Sequence, residues 1–329
     1  MVSRLSAGFA ARCAVIGSPV AHSLSPAVHR AAYRELGLSW EYAAYDVTPE
    51  QLAGFVEALR SPIEPESLVA LPDRRWPELT RTLPPWRGLS VTMPLKQVIV
   101  AHCDSLDDLG RMLGVVNTVV FEAAGSRRGY NTDVAGLVAA LTAAGVRRLK
   151  SAVVVGSGAT ARSALAAVAE LGARGVTVLA RTPARGLALA DLAARLKLDL
   201  AVADLGALGQ YGTDFGGPGG IAPDGCVSGA SGGSDSGPGA DVLISTIPVE
   251  AQPPVAGRLA GLAPTVLDVN YHPAYSPLLV ATEHAGGLAI GGFELLLHQA
   301  ARQLELMTGV AQAPLAAMRA AGLRVLSNR

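Results

Sequence analysis

The sequence predicts an α/β protein with two domains. The chain has 329 residues, which at roughly 100 to 200 residues per domain gives two domains, each large enough to bury a core. Short apolar runs alternate with helical patterns along most of the chain, which is typical of parallel sheets covered by helices. A glycine-containing turn opens an alanine-rich helix at Gly156. A second α/β unit therefore starts in mid-chain, after a first domain has been built.

Helix start signals separate the apolar runs of the N-terminal half. Ser25 and Pro26 are typical of a helix N-cap and first position. Thr48, Pro49 and Gln51 combine a cap, a proline and the glutamine of a capping box. These patterns predict a strand at 13–16, a helix from 25 to about 36, a strand at 40–47 and a helix from 48.

A proline-rich segment at 61–87 interrupts this alternation. We expect it to be irregular, with one short helix near Glu78. Beyond it, the sequence predicts strands at 89–92, 115–121 and 128–131. Further helices are expected to begin at Pro94 and at Asp133.

The second half of the chain alternates more regularly. It predicts strands at 152–155, 175–180, 198–202, 241–245 and 265–269, and helices at 159–171, 183–196, 292–308 and 313–321. Residues 206–239 are rich in glycine, serine, aspartate and proline, a composition typical of a flexible linker because it buries little apolar surface. We therefore expect a surface insertion there.

Composition excludes several classes of protein. Lysine and arginine number 27, as do aspartate and glutamate, so the electrostatic pattern of nucleic-acid binding is missing. Cys13, Cys103 and Cys226 are far apart and odd in number, which favours reduced thiols over disulfides or a metal site. No apolar run reaches the roughly 18 residues of a spanning helix, and 1–20 lacks a signal-peptide core. We expect a soluble cytoplasmic protein without nucleic-acid or membrane partners and without a metal.

The turn at Gly156 and Gly158 follows an apolar strand and precedes a helix. Glycines there allow a sharp turn and a close backbone approach to a pyrophosphate, whose charge the free amides of a helix N-terminus would stabilise. An ordinary tight turn is the alternative. The context favours a dinucleotide-binding site.

The next predicted strand of this unit ends in Arg181 and Thr182, with Arg185 one turn further on. An NAD site typically has a carboxylate here for the ribose hydroxyl, whereas arginine accommodates a 2′-phosphate. Two guanidinium groups and a hydroxyl suit a phosphate because charge-assisted hydrogen bonds are strong. We predict NADP(H) rather than NAD as the cofactor. The alternative is a solvated helix start.

Small polar residues cluster where predicted strands of the first half end, at 23–26, 90–96, 116–118 and 131–133. Together with the glycine turn, Arg181-Thr182 and the segment 292–300, this arrangement resembles the shikimate dehydrogenase family along nearly the whole chain. The resemblance implies reversible reduction of 3-dehydroshikimate to shikimate with NADPH, a step in aromatic amino-acid biosynthesis.

The resemblance also implies the domain plan. An N-terminal α/β substrate-binding domain would comprise 1–132, joined by the C-terminal helices of 293–329, which pack back on it. A Rossmann-type parallel-sheet domain for NADP(H) would comprise 133–292 and carry the insertion at about 206–239. The protein would act as a monomer or homodimer.

Site residues follow from the resemblance position by position. Ser23 and Ser25 would bind the substrate carboxylate. The ring hydroxyls would be bound by Thr92, Asn117 and Gln299, with Tyr271 beside the substrate or nicotinamide. The cofactor would be bound by Gly156, Ser157, Gly158, Ala159, Thr160, Ala161, Arg181, Thr182, Arg185, Thr246 and Gly292.

Lys96 and Asp133 would be the catalytic pair. A ketone that accepts hydride develops negative charge on oxygen, so its reduction needs a positioned acid. If a helix begins at Pro94, Lys96 lies in its first turn, where the helix dipole disfavours a cation. Asp133 would stabilise and orient the ammonium. Which of them transfers the proton stays open.

Purely structural roles are the alternative for several of these residues. Ser25 and Asp133 are also good N-caps, and Asn117 and Gln299 could serve structure alone. Ser90 stands where the family usually has asparagine, and Ala159-Thr160 replaces a Gly-Ala step. A quinate or aminoshikimate dehydrogenase of the same family is the closest rival function, and a non-catalytic ligand sensor is a more distant one.

Overall fold

A computed structural model of the chain describes residues 9–60, 85–122, 125–208 and 239–328. The chain divides into two compact units, Met1–Thr132 with Ala300–Arg329, and Asp133–Gln299. The short helix expected near Glu78, most of the expected insertion at 206–239 and Cys226 lie outside the described residues.

Six strands and the first helices precede residue 133 in the described chain. The elements are β1 Ala11–Gly17, α1 Ser25–Glu35, β2 Trp40–Asp46, α2 Pro49–Arg60, β3 Trp86–Val91, a 3₁₀ helix Val98–His102, β4 Ser105–Leu106, α3 Asp108–Leu113, β5 Thr118–Phe121 and β6 Arg127–Tyr130. The glutamine half of the predicted capping box at the start of α2 is confirmed, since the Thr48 N–H donates to Gln51 Oε1 at 3.0 Å.

The second unit and the C-terminal helices follow. Their elements are α4 Asp133–Ala143, β7 Ser151–Val155, α5 Ala159–Glu170, β8 Gly175–Ala180, α6 Pro183–Leu187, α7 Ala190–Arg195, β9 Asp199–Asp204, β10 Val242–Ser245, a 3₁₀ helix Val249–Ala251, α8 Ala256–Ala260, β11 Thr265–Asp268, α9 Pro277–His284, β12 Leu288–Ile290, α10 Gly292–Thr308 and α11 Leu315–Ser327.

The sheet of the first unit has the strand order β2-β1-β3-β5-β6-β4. β1 pairs in parallel with β2 and β3, whereas β5 runs antiparallel to β3 and β6. Its core includes Ile16, Phe55, Leu89 and Val119. The antiparallel strands place the start of β5 beside the ends of β3 and β6.

The sheet of the second unit has the order β12-β11-β10-β7-β8-β9, and its neighbouring strands are parallel. This is the doubly wound order of a Rossmann fold, and the order reverses between β7 and β10. Val155, Leu179, Leu243, Val266 and Leu278 lie in its core. The predicted fold class is confirmed. No helix in the described residues has the length and apolar character needed to cross a membrane.

Three predictions of local structure are wrong. No α-helix begins at Pro94, because residues 93–97 form turns, and proline suits a turn as well as a helix start. The helix expected at 183–196 is two short helices, since its first part ends in a tight turn in which the Leu189 N–H bonds to Gly186 O. Ser25 is the first residue of α1 rather than its N-cap, which is Leu24.

Candidate functional site

Polar residues of the first unit meet at the carboxyl end of β3. Ser90 pairs with Thr118 across the antiparallel strands, so Asn117 lies next to the end of β3. The Val91 N–H donates to Asn117 O at 2.8 Å, and the Asn117 N–H donates to Tyr130 O at 3.1 Å. Thr92, Asn117 and the residues after β6 therefore lie at one edge of the sheet.

The turn that carries Lys96 is fixed at the same edge by backbone hydrogen bonds. The Thr92 N–H donates to Ile16 O at 2.9 Å and the Leu95 N–H to Thr92 O at 2.9 Å, while Lys96 O accepts from the Val116 N–H at 2.8 Å. Lys96 is half-buried. The structure thus brings Lys96 together with Thr92 and Asn117. The proposed effect of a helix dipole on Lys96 has no basis, because no α-helix begins there.

Ser23 and Ser25 lie at the start of α1. The Ser23 N–H donates to Val20 O at 2.9 Å, and the Ser25 N–H donates to Ser23 Oγ at 3.3 Å. Val20 is in turn held by Asp46, whose Oδ2 accepts from its N–H at 3.2 Å. These bonds fix the turn that carries Ser23 and Ser25, and the Ser25 side chain is hydrogen-bonded to the buried Tyr42.

The Asn117 side chain is tied to Thr132. Asn117 Oδ1 accepts from the Thr132 N–H at 2.8 Å and from the Thr118 hydroxyl at 2.9 Å. Its Nδ2 donates to Thr132 Oγ1 at 2.9 Å. A backbone N–H bound to Oδ1 fixes which way the amide faces. Asp133 comes directly after Thr132 in the chain and is buried.

The predicted dinucleotide turn lies in the second unit at the point where the strand order reverses. Gly156 has φ of +108°, in the region that favours glycine, and its N–H donates to Leu179 O at 2.8 Å. A Cβ at Gly156 would collide with Thr246 Oγ1, whereas none of the described atoms lies within 4 Å of a Cβ at Gly158. Gly158 is the N-cap of α5 and is exposed.

The remaining residues of that turn, Ser157, Ala159, Thr160 and Ala161, lead into the first turn of α5. Thr246 follows β10 and stands against the turn, since its hydroxyl donates to Val155 O at 2.8 Å. The N-terminus of α5 therefore faces the usual position of a ligand in a doubly wound sheet, beyond the carboxyl ends of the strands.

Arg181, Thr182 and Arg185 follow β8 and are all exposed. Thr182 is the N-cap of α6 but its side chain makes no capping hydrogen bond. The adjacent strand β9 ends in Asp204, opposite Ala180, and Asp204 Oδ1 accepts from the Gly206 N–H at 2.8 Å. The strand end itself therefore presents cations and a hydroxyl to solvent.

Gly292, Gln299 and Tyr271 also belong to the second unit. A Cβ at Gly292 would collide with Val269 O, so the start of α10 packs directly on the backbone after β11. Gln299 is buried and its Nε2 donates to Leu296 O at 2.9 Å. Gly136 on α4 approaches Gln299 so closely that a Cβ there would lie 2.8 Å from Gln299 Cβ. Tyr271 is half-buried.

A buried carboxylate organises the loops after β10 and β11, and the sequence analysis missed it. Asp268 accepts from Gln252 Nε2 at 2.8 Å and from Asn270 Nδ2 at 2.7 Å. The same Asn270 amide donates to Ile247 O at 2.8 Å. Asn270 O accepts from the Gly292 N–H at 3.1 Å. In the sequence, Asp268 is marked by its position at the end of a predicted strand, shortly before Tyr271.

A second missed group, His29, Tyr42 and Gln303, lies in the first unit beneath Asn117. All three are buried. Gln303 follows Gln299 by four residues on α10, a spacing that puts two residues on one helix face. That spacing was the feature from which its place could have been inferred.

Comparison with known proteins identifies the family. A model of the shikimate dehydrogenase substrate binding domain matches residues 15–65 and 74–119, and one of the shikimate 5′-dehydrogenase C-terminal domain matches 292–321. The NADP(+) shikimate dehydrogenase of Methanothermobacter thermautotrophicus is 31% identical over 322 residues, which cover 95% of this chain and 96% of the relative. The chain belongs to the shikimate dehydrogenase family.

Solved shikimate dehydrogenases are similar to this chain over most of its length. The shikimate 5-dehydrogenase of Mycobacterium fortuitum is 38% identical and superposes with a TM-score of 0.70, over 94% of this chain and 97% of its own. The Thermus thermophilus enzyme, solved in complex with NADP(H) and shikimate, is 27% identical with a TM-score of 0.68, over 96% and 99%. The resemblance inferred from the sequence motifs is confirmed.

Proposed function

We propose that this member of the shikimate dehydrogenase family reduces 3-dehydroshikimate to shikimate, reversibly, with NADPH as hydride donor. The observation that carries the proposal is the cluster of Thr92, Lys96 and Asn117 at one sheet edge of the first unit. The ammonium, hydroxyl and amide groups of these three residues would suit a polar hydroxylated ring. The relatives named NADP(+) shikimate dehydrogenase support the assignment.

Different substrate-binding groups would contact the carboxylate and the ring hydroxyls of the substrate. The paired hydroxyls of Ser23 and Ser25 would bind the carboxylate, since both can donate hydrogen bonds. Thr92, Asn117 and Gln299 would bind ring hydroxyls. An amide both donates and accepts, so it discriminates against a ring that lacks the matching hydroxyl. Tyr271 would border the substrate or the nicotinamide.

Lys96 and Asp133 would form the catalytic pair. Reduction moves negative charge onto the carbonyl oxygen as the new C–H bond forms, and a positioned ammonium both stabilises that charge and supplies a proton. Asp133, directly after the Asn117-bound Thr132, would orient the ammonium. The assignment rests on the fixed turn of Lys96, on the buried position of Asp133 and on family membership.

The second unit has the features that an NADP(H) site needs, and bound NADPH supplies the hydride. A Cβ at Gly158 would meet none of the described atoms within 4 Å, so the absent side chain there leaves the backbone open to a pyrophosphate. Residues Gly156, Ser157, Gly158, Ala159, Thr160 and Ala161 would hold the pyrophosphate, with Thr246 and Gly292 nearer the nicotinamide. Arg181, Thr182 and Arg185 would hold the 2′-phosphate, because they are exposed and carry suitable donors.

The roles of the two units, the cellular location and the oligomeric state are proposed on the same basis. The two units would serve as the substrate and cofactor domains of one enzyme. Cys13 and Cys103 are free thiols, which suits a reducing cytoplasm. The enzyme would act as a monomer or a homodimer.

Steady-state assays test the proposed function. Oxidation of NADPH and of NADH is followed by absorbance with 3-dehydroshikimate and, separately, with 3-dehydroquinate. We expect the highest kcat/KM for NADPH with 3-dehydroshikimate. A higher kcat/KM with 3-dehydroquinate would reassign the substrate, and no turnover with either would leave a ligand-binding role.

A further inference from the structure

A buried hydrogen-bond network connects α10 to the sheet edge of the first unit. Its centre is Gln303, which is 2% exposed. Gln303 Oε1 accepts from the Ser90 hydroxyl at 2.6 Å, and Gln303 Nε2 donates to Asn117 O at 3.0 Å. His29 Nε2 lies 3.3 Å from the same Oε1. One amide therefore joins a strand, a helix and the residue proposed to bind a ring hydroxyl.

The direction of each hydrogen bond in this network is determined. The Tyr42 hydroxyl donates to Ser90 Oγ at 2.5 Å, and burial raises the pKa of Tyr42, so the hydroxyl keeps its proton. Asn117 O can only accept, so Gln303 presents Nε2 to it and Oε1 to Ser90. Since Oε1 is also only an acceptor, Ser90 must use its own proton to donate to it.

His29 completes the orientation of Gln303. Burial lowers the pKa of His29 to about 4, so the ring is neutral at pH 7 and donates from Nε2 in the tautomer that fits Oε1. The ring stacks on Tyr42 with centroids 4.2 Å apart. The Gln303 amide is thus held by two donors on one side and has one acceptor on the other.

The carbonyl of Asn117 receives two donors, Gln303 Nε2 and the Val91 N–H. Its side chain is bonded to Thr132, the residue before Asp133. Displacing the Asn117 backbone would therefore displace the amide offered to the substrate and the start of α4. A site held within about 0.5 Å requires such supporting contacts.

We propose that Gln303 is a positioning residue that sets Asn117, and through it Thr132, for binding of the hydroxylated substrate ring. The inference rests on the proposed function for its kinetic consequence. Gln303 itself is buried behind Asn117 and acts through it. Ser90 and Tyr42 serve to orient Gln303.

The kinetic test compares Gln303→Met with Arg302→Met. Methionine has nearly the same length but makes no comparable hydrogen bonds, and Arg302 is a half-exposed neighbour on the same helix. For Gln303→Met we expect the KM for 3-dehydroshikimate to rise about tenfold or more, with the KM for NADPH within twofold of wild type. Arg302→Met should change neither. An unchanged KM for 3-dehydroshikimate, or a parallel rise of both KM values, would overturn the proposal.

Hydrogen exchange provides a readout that needs no substrate. The Thr132 amide donates to Asn117 Oδ1, so its exchange rate reports on the position of the Asn117 side chain. We expect exchange at Thr132 to accelerate at least tenfold in Gln303→Met, with the Leu243 and Val154 amides of the second unit unaffected. Equal protection at Thr132 in variant and wild type would overturn the proposal.

The two readouts separate the inference from the proposed function. Inactivity of the wild type with 3-dehydroshikimate would defeat the proposed function, while exchange at Thr132 would still decide whether Gln303 positions Asn117. If Gln303→Met does not fold, Ser90→Ala replaces it, because that change removes the donor that orients the amide. For Ser90→Ala we expect a smaller rise in the KM for 3-dehydroshikimate, an unchanged KM for NADPH and a smaller acceleration of exchange at Thr132. The absence of these effects would refute the role of Gln303.

Discussion

The hydroxyl of Thr246 occupies the space that a side chain at Gly156 would need. A Cβ at Gly156 would overlap Thr246 Oγ1, which is fixed by its hydrogen bond to Val155 O. Gly156 also has φ of +108°. Gly156→Ala should therefore lower the free energy of unfolding by about 2 kcal/mol or more and raise the KM for NADPH. Chemical denaturation and steady-state kinetics measure both effects.

Gly158→Ala is the matched control for stability. The described chain has no atom within 4 Å of a Cβ at Gly158, and its φ is −84°. We expect the free energy of unfolding to fall by at most about 1 kcal/mol, since the backbone conformation is allowed for alanine and only the poorer N-cap preference of alanine counts against it. Equal destabilisation by the two substitutions would show that Thr246 does not set the requirement for glycine at 156.

Arg181 and Arg185 should determine the preference for NADPH over NADH. Replacing either by alanine should raise the KM for NADPH roughly tenfold, because one charge-assisted contact contributes about 1.5 to 3 kcal/mol. The KM for NADH should not change. Arg174→Ala, an exposed arginine before the opposite end of β8, is the control. If the KM values for NADPH and NADH rise equally, these arginines do not bind the 2′-phosphate.

His29 should make the fold sensitive to mild acid. Burial lowers its pKa from 6.5 to about 4, so the unfolded chain binds a proton that the folded chain excludes. The contribution of neutral His29 to stability is fully present above about pH 6.5 and is lost as the pH falls towards 4. Lowering the pH from 7 to 5 should therefore reduce the free energy of unfolding by about 2 kcal/mol through His29 alone.

Unfolding measured at pH 7 and pH 5 checks this. His29→Phe, which retains an aromatic ring next to Tyr42, should lose about 2 kcal/mol less than wild type over that range. His284→Phe, at an exposed position, should behave as wild type. If the free energy of unfolding of His29→Phe falls between pH 7 and pH 5 by as much as that of wild type, other groups cause the acid sensitivity.

The second unit was predictable from sequence because its signals are local. Apolar strands, the glycines at 156 and 158 and the arginines after β8 each mark their own position. Alternation predicted the parallel sheet, and the glycine turn with the family resemblance predicted the Rossmann-type domain. The split of 183–196 into α6 and α7 was not predictable, since the tight turn at Leu189 depends on hydrogen bonding that helix propensity does not reveal.

The first unit shows the limit of sequence reasoning. Motifs identified Lys96, Thr92 and Asn117, yet the helix expected at Pro94 is a set of turns. The group formed by Gln303, Ser90 and Tyr42 joins residues 213 and 48 positions apart. No local pattern predicts such contacts, because each residue taken singly fits a helix or strand interior. Strand pairing and burial bring them together.

Lys96 is the proposed acid in the reduction of the ketone, and the kcat of Lys96→Met reports on this role. Lys150→Met is the control, because Lys150 is exposed and lies in the second unit, before β7. With saturating NADPH and 3-dehydroshikimate, kcat of Lys96→Met should fall by roughly 10²- to 10⁴-fold, with the KM for NADPH unchanged and Lys150→Met as active as wild type. A folded Lys96→Met enzyme with the wild-type kcat would show that Lys96 is not the acid.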